Sequence, residues 1–139
     1  MRPRLNLILL GVAVIAKTVA FYEALGWPKA DSSHDGFAKF DLGGVVPGIQ
    51  SRKAFAMDAH SDTSESSGFS AMALAYIARS AEDVPRVLAK AAALGATIVK
   101  PATTNTWGIA GYFRDLDGHL FEVLYEEGWV FDENDNLVV

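Results

Sequence analysis

Cysteine is absent from the 139 residues, so disulfides, thiolate nucleophiles and cysteine metal sites are excluded. Basic charge is in short supply: 12 Lys and Arg stand against 17 Asp and Glu, for a formal net charge of −5. A nucleic-acid binder needs a basic face to displace phosphate counterions, so that class of partner is not expected. Histidine is scarce and scattered. His34 and His60 fall in polar loop segments and His119 follows a tight turn, a pattern of surface and turn residues rather than of a shared metal site. His-Glu-x-x-His, a P-loop and a Gly-x-Ser-x-Gly elbow are also missing. Asp132-Glu133-Asn134-Asp135-Asn136 begins like a calcium loop, but Leu137 stands where that loop needs glycine, and the segment reads as a turn.

No apolar run reaches the roughly 20 residues of a membrane span. The most apolar stretch, Leu5 to Ala16, follows the basic Met1-Arg2-Pro3-Arg4 and has the outline of a signal peptide. Its Leu, Ile and Val content equally suits a strand buried on both faces, and it has a counterpart later in the chain. We read it as a strand leading into a helix, and expect a cytoplasmic protein with no membrane partner.

Half of the residues are hydrophobic, enough for a substantial core in one domain covering 1–139. Leu5 to Val14 reads as a strand and Ala16 to Leu25 as a helix, stopped by Gly26. Phe37 to Leu42 and Val45 to Gln50 read as strands joined by a tight turn at Gly43-Gly44. Arg52 to Gly68 has no sustained apolar face and reads as a loop. The order then restarts. Phe69 to Ala78 is a strand, Ser80 with Asp83 suggests a capping box, and Glu82 to Leu94 is a helix stopped by Gly95. Thr97 to Pro101, Ile109 to Phe113 and Leu120 to Tyr125 complete the set as strands. Asp41-Leu42-Gly43-Gly44 matches Asp115-Leu116-Asp117-Gly118 at an offset of 115 − 41 = 74. The expected architecture is therefore α+β: a βαβββ module over 1–51, a linker over 52–68, a second module over 69–126 and a tail over 127–139. Two such modules would form an incomplete barrel-like sheet around a shared cleft.

Two segments carry a family resemblance. One is Leu10-Gly11-Val12 followed by Thr18-Val19-Ala20-Phe21-Tyr22-Glu23-Ala24-Leu25-Gly26-Trp27. The other is Gly111-Tyr112-Phe113-Arg114-Asp115-Leu116-Asp117-Gly118-His119-Leu120-Phe121-Glu122-Val123. Together they resemble the opening and the ending of the vicinal-oxygen-chelate superfamily, which includes glyoxalases, bleomycin resistance proteins and extradiol dioxygenases. Leu116 replaces the family's usual turn proline. The resemblance implies the fold and a cleft, and in metal-using members a divalent metal acting as a Lewis acid. Its four ligand positions, carried over by the family's spacing, fall on Leu7, Gly48, Ala73 and Glu122. Gly48 is the 74-residue counterpart of Glu122. Three of these four side chains cannot ligate, and only Gln50 among their near neighbours could help. No metal and no other cofactor is expected.

Glu122 stands out as the lone acid in the apolar strand Leu120 to Tyr125. A carboxylate there must be paired, hydrated or protonated. It is either a functional (catalytic or binding) group or a relict ligand held by a neighbouring tyrosine or backbone. Alternation puts Phe121 on the opposite face, against the helix. Tyr76, Trp107, Tyr112 and Gln50 are the candidate ligand-binding residues beside it. The expected function is metal-independent binding of a small organic molecule, and the resemblance to the antibiotic-sequestering branch extends this to a cationic one. The alternatives are a metal-dependent lyase, isomerase or dioxygenase of the same superfamily, and a scaffold with a vestigial cleft. The resemblance also implies a homodimer, which would bury exposed strand edges and an uncovered apolar sheet face.

Overall fold

The computed structural model describes residues 1–65 and 67–139. The chain divides into two compact units, Met1–Ser70 and Ala71–Val139. It is α+β, and each unit packs an 11-residue helix on one face of its own sheet.

In unit 1, β1 (Leu7–Val12) leads into α1 (Ile15–Leu25), followed by β2 (Phe37–Lys39) and β3 (Val46–Ser51). The sheet order is β1-β3-β2, parallel between β1 and β3 and antiparallel between β2 and β3. Leu10, Ile49 and Ala38 form one row across the three strands and are all buried. Onto the sheet α1 brings Thr18, Val19, Phe21 and Tyr22, its buried residues. Tyr22 stacks on Trp27 with centroids 4.3 Å apart and meets the edge of Phe40. Gly26 ends the helix at φ 109°, where its N–H returns to the carbonyls of Tyr22 and Glu23. A left-handed residue is cheap there only as glycine. The hairpin turn needs the same freedom at Gly43 and Gly44, both at positive φ.

Unit 2 repeats the order with one more strand: β4 (Leu74–Ile77), α3 (Asp83–Ala93), β5 (Thr97–Thr104), β6 (Gly108–Arg114) and β7 (Leu120–Glu126), in the sheet order β4-β7-β6-β5. Val84, Leu88 and Ala91 of α3 are buried together with Phe113, Phe121 and Val123 of the sheet. Phe113 and Phe121 stack at 4.9 Å. A side chain at Gly111 would collide with Leu88, which places α3 on the Gly111–Val123 face. The β6–β7 turn is built on buried Asp115, whose Oδ1 accepts from the backbone N–H groups of Asp117 and His119. A short hairpin, β8 (Val130–Phe131) and β9 (Leu137–Val138), ends the unit.

Four details depart from the sequence reading. The first unit is βαββ rather than βαβββ: the stretch between α1 and β2 forms only isolated bridges, His34 to Phe37 and Lys29 to Phe40. Pro28 beside Lys29 offers no N–H for a ladder. Segment 52–68 is not all loop, since it holds α2 (Arg52–Asp58), started by the Ser51 hydroxyl accepting from Ala54 N–H. No α2 residue is buried, so no apolar stripe announces the helix. Strand β4 is shorter than Phe69 to Ala78, and Ala71 sits at φ 55° just ahead of it. The Ser80 cap does not form: Asp83 N–H bonds to the Ser80 carbonyl, and α3 starts without a side-chain cap.

Candidate functional site

Strand register in unit 2 lines up four residues. Lys100 on β5 pairs with Tyr112 on β6, Tyr112 with Glu122 on β7, and Glu122 with Ala75 on β4. Residues paired this way share a face. Phe121 and Val123, which flank Glu122, point into the α3 core, so the Lys100–Tyr112–Glu122–Ala75 row lies on the face away from the helix.

Within that row the Tyr112 hydroxyl donates to Glu122 Oε1 at 2.6 Å, and both side chains are half-buried. The length is that of a charge-assisted O–H···O⁻ bond. It raises the Tyr112 pKa above its ordinary 10.0, first through the bond to Glu122, then through burial and the Glu122 charge. Tyr112 therefore stays a donor across the neutral range. Glu122 Oε2 has no hydrogen-bond donor among the described residues. The pair leaves one carboxylate oxygen able to accept a hydrogen bond, hold a cation or take a proton.

The other sequence candidates are spread more widely. Tyr76 pairs with Val123, so strand alternation puts it on the α3 side of the sheet, where it is 50% exposed at the edge strand. Trp107 is 43% exposed in the β5–β6 turn, its N–H bonded to Asn105. It lies five positions before Tyr112, about 17 Å along a strand. Gln50 lies in unit 1, opposite Gly11 on β1 and Phe37 on β2, and is half-buried. Of the candidates in unit 2, only Tyr112 and Glu122 are brought together. Lys100 is not singled out by the sequence, because its place in the row depends on breaks in the β5 register that the sequence does not mark.

Gly48 holds the matching position in unit 1. It pairs with Leu9 and Lys39, as Glu122 pairs with Ala75 and Tyr112. A Cβ at Gly48 would stand 2.7 Å from Phe37 Cζ and 3.2 Å from the methyls of both Leu7 and Leu9. Apolar side chains thus occupy the space where unit 2 carries its carboxylate.

The residues do not fit a divalent metal. Leu7, Gly48 and Ala73 offer no donor side chain at three of the four positions carried over from the resemblance. Among the described residues no group of three or more His, Asp or Glu could hold an ion. His34 Nδ1 accepts from Gly36 N–H within its own turn, and His60 is exposed at φ 52°.

Unit 2 also has an open cleft of about 160 Å³ at its far end, lined by residues that include Ala78, Arg79, Tyr125, Trp129 and Phe131. The Arg79 guanidinium lies 3.6 Å over the Phe131 ring and pairs with Asp135, pinning the β8–β9 hairpin. Asp132 closes that hairpin by accepting from Asn134 and Asn136, so the acidic run is a turn. Among the described residues no helix is long and apolar enough to cross a membrane.

Comparison with known structures places the fold. The chain is similar to a glyoxalase-related enzyme from Fulvimarina pelagi, at 22% identity over 99% of this chain and 98% of that one, with a TM-score of 0.88. It is similar to the fosfomycin resistance protein FosX from Listeria monocytogenes, at 24% identity over 92% and 94%, with a TM-score of 0.68. A lactoylglutathione lyase from Agrobacterium tumefaciens matches at 16% identity over 95% and 100%, with a TM-score of 0.67. Comparison with curated proteins finds no match. The family model for the glyoxalase/bleomycin resistance protein/dioxygenase superfamily matches residues 4–123. The chain therefore belongs to that superfamily.

Proposed function

We propose that this protein binds a small organic molecule without a metal, through the carboxylate of Glu122. The observation that carries this reading is the 2.6 Å bond from Tyr112 to Glu122 Oε1, which fixes the carboxylate and leaves Oε2 to a ligand. A fixed, half-buried acceptor suits a cationic or hydrogen-bond-donating group, worth about 1.5–3 kcal/mol per charge-assisted contact. Tyr112 is the positioning residue and Glu122 the binding one.

The metal-dependent reading has support from relatives, since one FosX structure was obtained with Mn(II). For this chain it requires donors where Leu7, Gly48 and Ala73 stand. The vestigial-cleft reading is favoured for unit 1, where Phe37, Leu7 and Leu9 crowd Gly48. Titration of the protein with a panel of organic amines tests the proposal. Binding that weakens at least about tenfold in Glu122→Gln, with no stoichiometric metal by elemental analysis, is the expected result. Bound zinc, iron, nickel or manganese that is lost in Glu122→Ala would overturn it.

A homodimer is part of the same proposal. Leu7 is 43% and Leu9 38% exposed on the sheet face of unit 1 that α1 does not cover, apolar surface that association can bury. A monomeric mass by light scattering at micromolar concentration counts against it. We place the protein in the cytoplasm, in keeping with a chain that has no cysteine.

A further inference from the structure

We propose that the ligand of the Glu122 site is two-ended: a cationic or donor group held by Glu122, and an anionic group held by Lys100, with Tyr112 between them. This rests on the reading of Glu122 as a ligand-binding residue, and it names the chemical class as an organic zwitterion.

The first support is the row itself. Lys100, Tyr112 and Glu122 occupy adjacent positions on β5, β6 and β7. Neighbouring strands lie about 4.8 Å apart, so the two charged residues are about two such spacings apart on one face. The Lys100 ammonium lies 5.9 Å from the centroid of the Tyr112 ring, at the outer reach of a cation–π contact. Lys100 has no ion-pair partner among the described residues. The phenol thus separates a cation from a carboxylate, and a molecule lying along the ring can meet both.

The second support is the backbone of β5. Ile98 pairs with Phe113, and Lys100, two residues on, pairs with Tyr112, only one residue back along β6. Regular alternation would put Lys100 on the same face as Ile98, the α3 side. The bulge turns it to the Glu122 face instead. A second irregularity follows between Lys100 and Thr103. Bulges are over-represented beside functional sites, where they re-aim a side chain.

The third support is what permits the bulge. A Cβ at Gly111 would stand 2.8 Å from the Lys100 carbonyl oxygen and 3.1 Å from Ala102 N. Glycine there lets the bulged chain press against β6. Pro101 is tolerated because β5 is an edge strand.

NMR titration with linear ω-amino carboxylates of about four to eight carbons, alongside the matched alkylamines, tests the proposal at lengths that bracket two strand spacings. The best amino carboxylate should bind at least about tenfold more tightly than its amine. Lys100→Met should abolish that gain, and Lys100→Arg should keep it. Glu122→Gln should weaken both probes. Lys100 is exposed, so its variants should melt like the parent protein. Amines that bind without any gain from the added carboxylate, or a gain that survives in Lys100→Met, would overturn the two-ended ligand alone. Failure of every amine and amino carboxylate to bind would overturn the Glu122 reading, and this inference with it.

Discussion

Gly48 and Glu122 sit on matching strands of two sheets, each flanked by the first strand of its unit and by the strand of its hairpin, although the unit 2 sheet has one strand more, β5. In unit 2 the position carries a carboxylate bonded to a tyrosine. In unit 1 it carries no side chain at all, and Phe37, Leu7 and Leu9 lean into the gap. The faces that meet the helices have not diverged in this way, being packed with apolar residues in both units. Core packing constrains one side of each sheet, and the other side is where two copies of one module can acquire different chemistry.

The largest test of this contrast is to give unit 1 the residue of unit 2. Gly48→Glu must displace Phe37 and crowd two leucines, and brings a charge with no partner in place. It should destabilise the protein by about 3 kcal/mol. Adding Phe37→Ala should recover at least about half of that loss, because it opens the space the new side chain needs. Thermal melts of the three proteins check it, and a tolerated Gly48→Glu would mean the face is open after all.

Tyr112→Phe removes the donor from half-buried Glu122 and should cost about 1–3 kcal/mol. Tyr76→Phe, at a half-exposed edge position, should stay within about 0.5 kcal/mol. Equal losses in the two variants would show that the hydrogen bond contributes nothing.

Glu122→Gln keeps size and an acceptor oxygen, so stability should change by less than about 1 kcal/mol. Its sharper effect is on titration. Tyr112 has its pKa raised above 10.0 by Glu122. A group with a raised folded pKa contributes stability below its unfolded value and loses it as pH rises through the folded one. The bond should therefore stabilise the fold up to about pH 10 and fail above it. Ultraviolet titration should show one tyrosine ionising at lower pH in Glu122→Gln than in the parent.

A small effect, remote from the Tyr112–Glu122 pair, is expected from Arg79→Ala. Its contacts with Phe131 and Asp135 are solvent-exposed, so the loss should be below about 1 kcal/mol. Hydrogen exchange should quicken in 130–138 and stay unchanged in the Tyr112–Glu122 strands.

Much of the scaffold was legible in the sequence because its punctuation has a local cause. Gly26 and Gly95 follow their helices at left-handed φ values of 109° and 104°, and the Asp41 and Asp115 turns each bond the backbone two residues on. An acid in an apolar strand calls for a partner, water or a proton, and the sequence leaves open which. A tyrosine is one of the alternatives it offers, and Tyr112 is the residue Glu122 meets. What stayed hidden depends on tertiary context. Helix α2 buries nothing, so hydrophobic period is silent about it. Tyr76 and Trp107 look like pocket residues by type, but register and turn position send them elsewhere. Lys100 reaches its face through a bulge, and no residue pattern announces which way a bulge turns the chain.

Each main sheet contains a parallel pair joining the first of its strands in sequence to the last: Leu7 must find Val46, and Leu74 must find Phe121. Such contacts demand that almost the whole unit be present before any of them can form, and the chain-closure entropy comes before the reward. On the ribosome, unit 1 can complete its sheet once Ser51 has emerged, whereas unit 2 must wait for β7. The strand bearing Glu122 is the one that unit 2 needs to knit its sheet. Until it arrives, β4 and β6 both present unpaired edges.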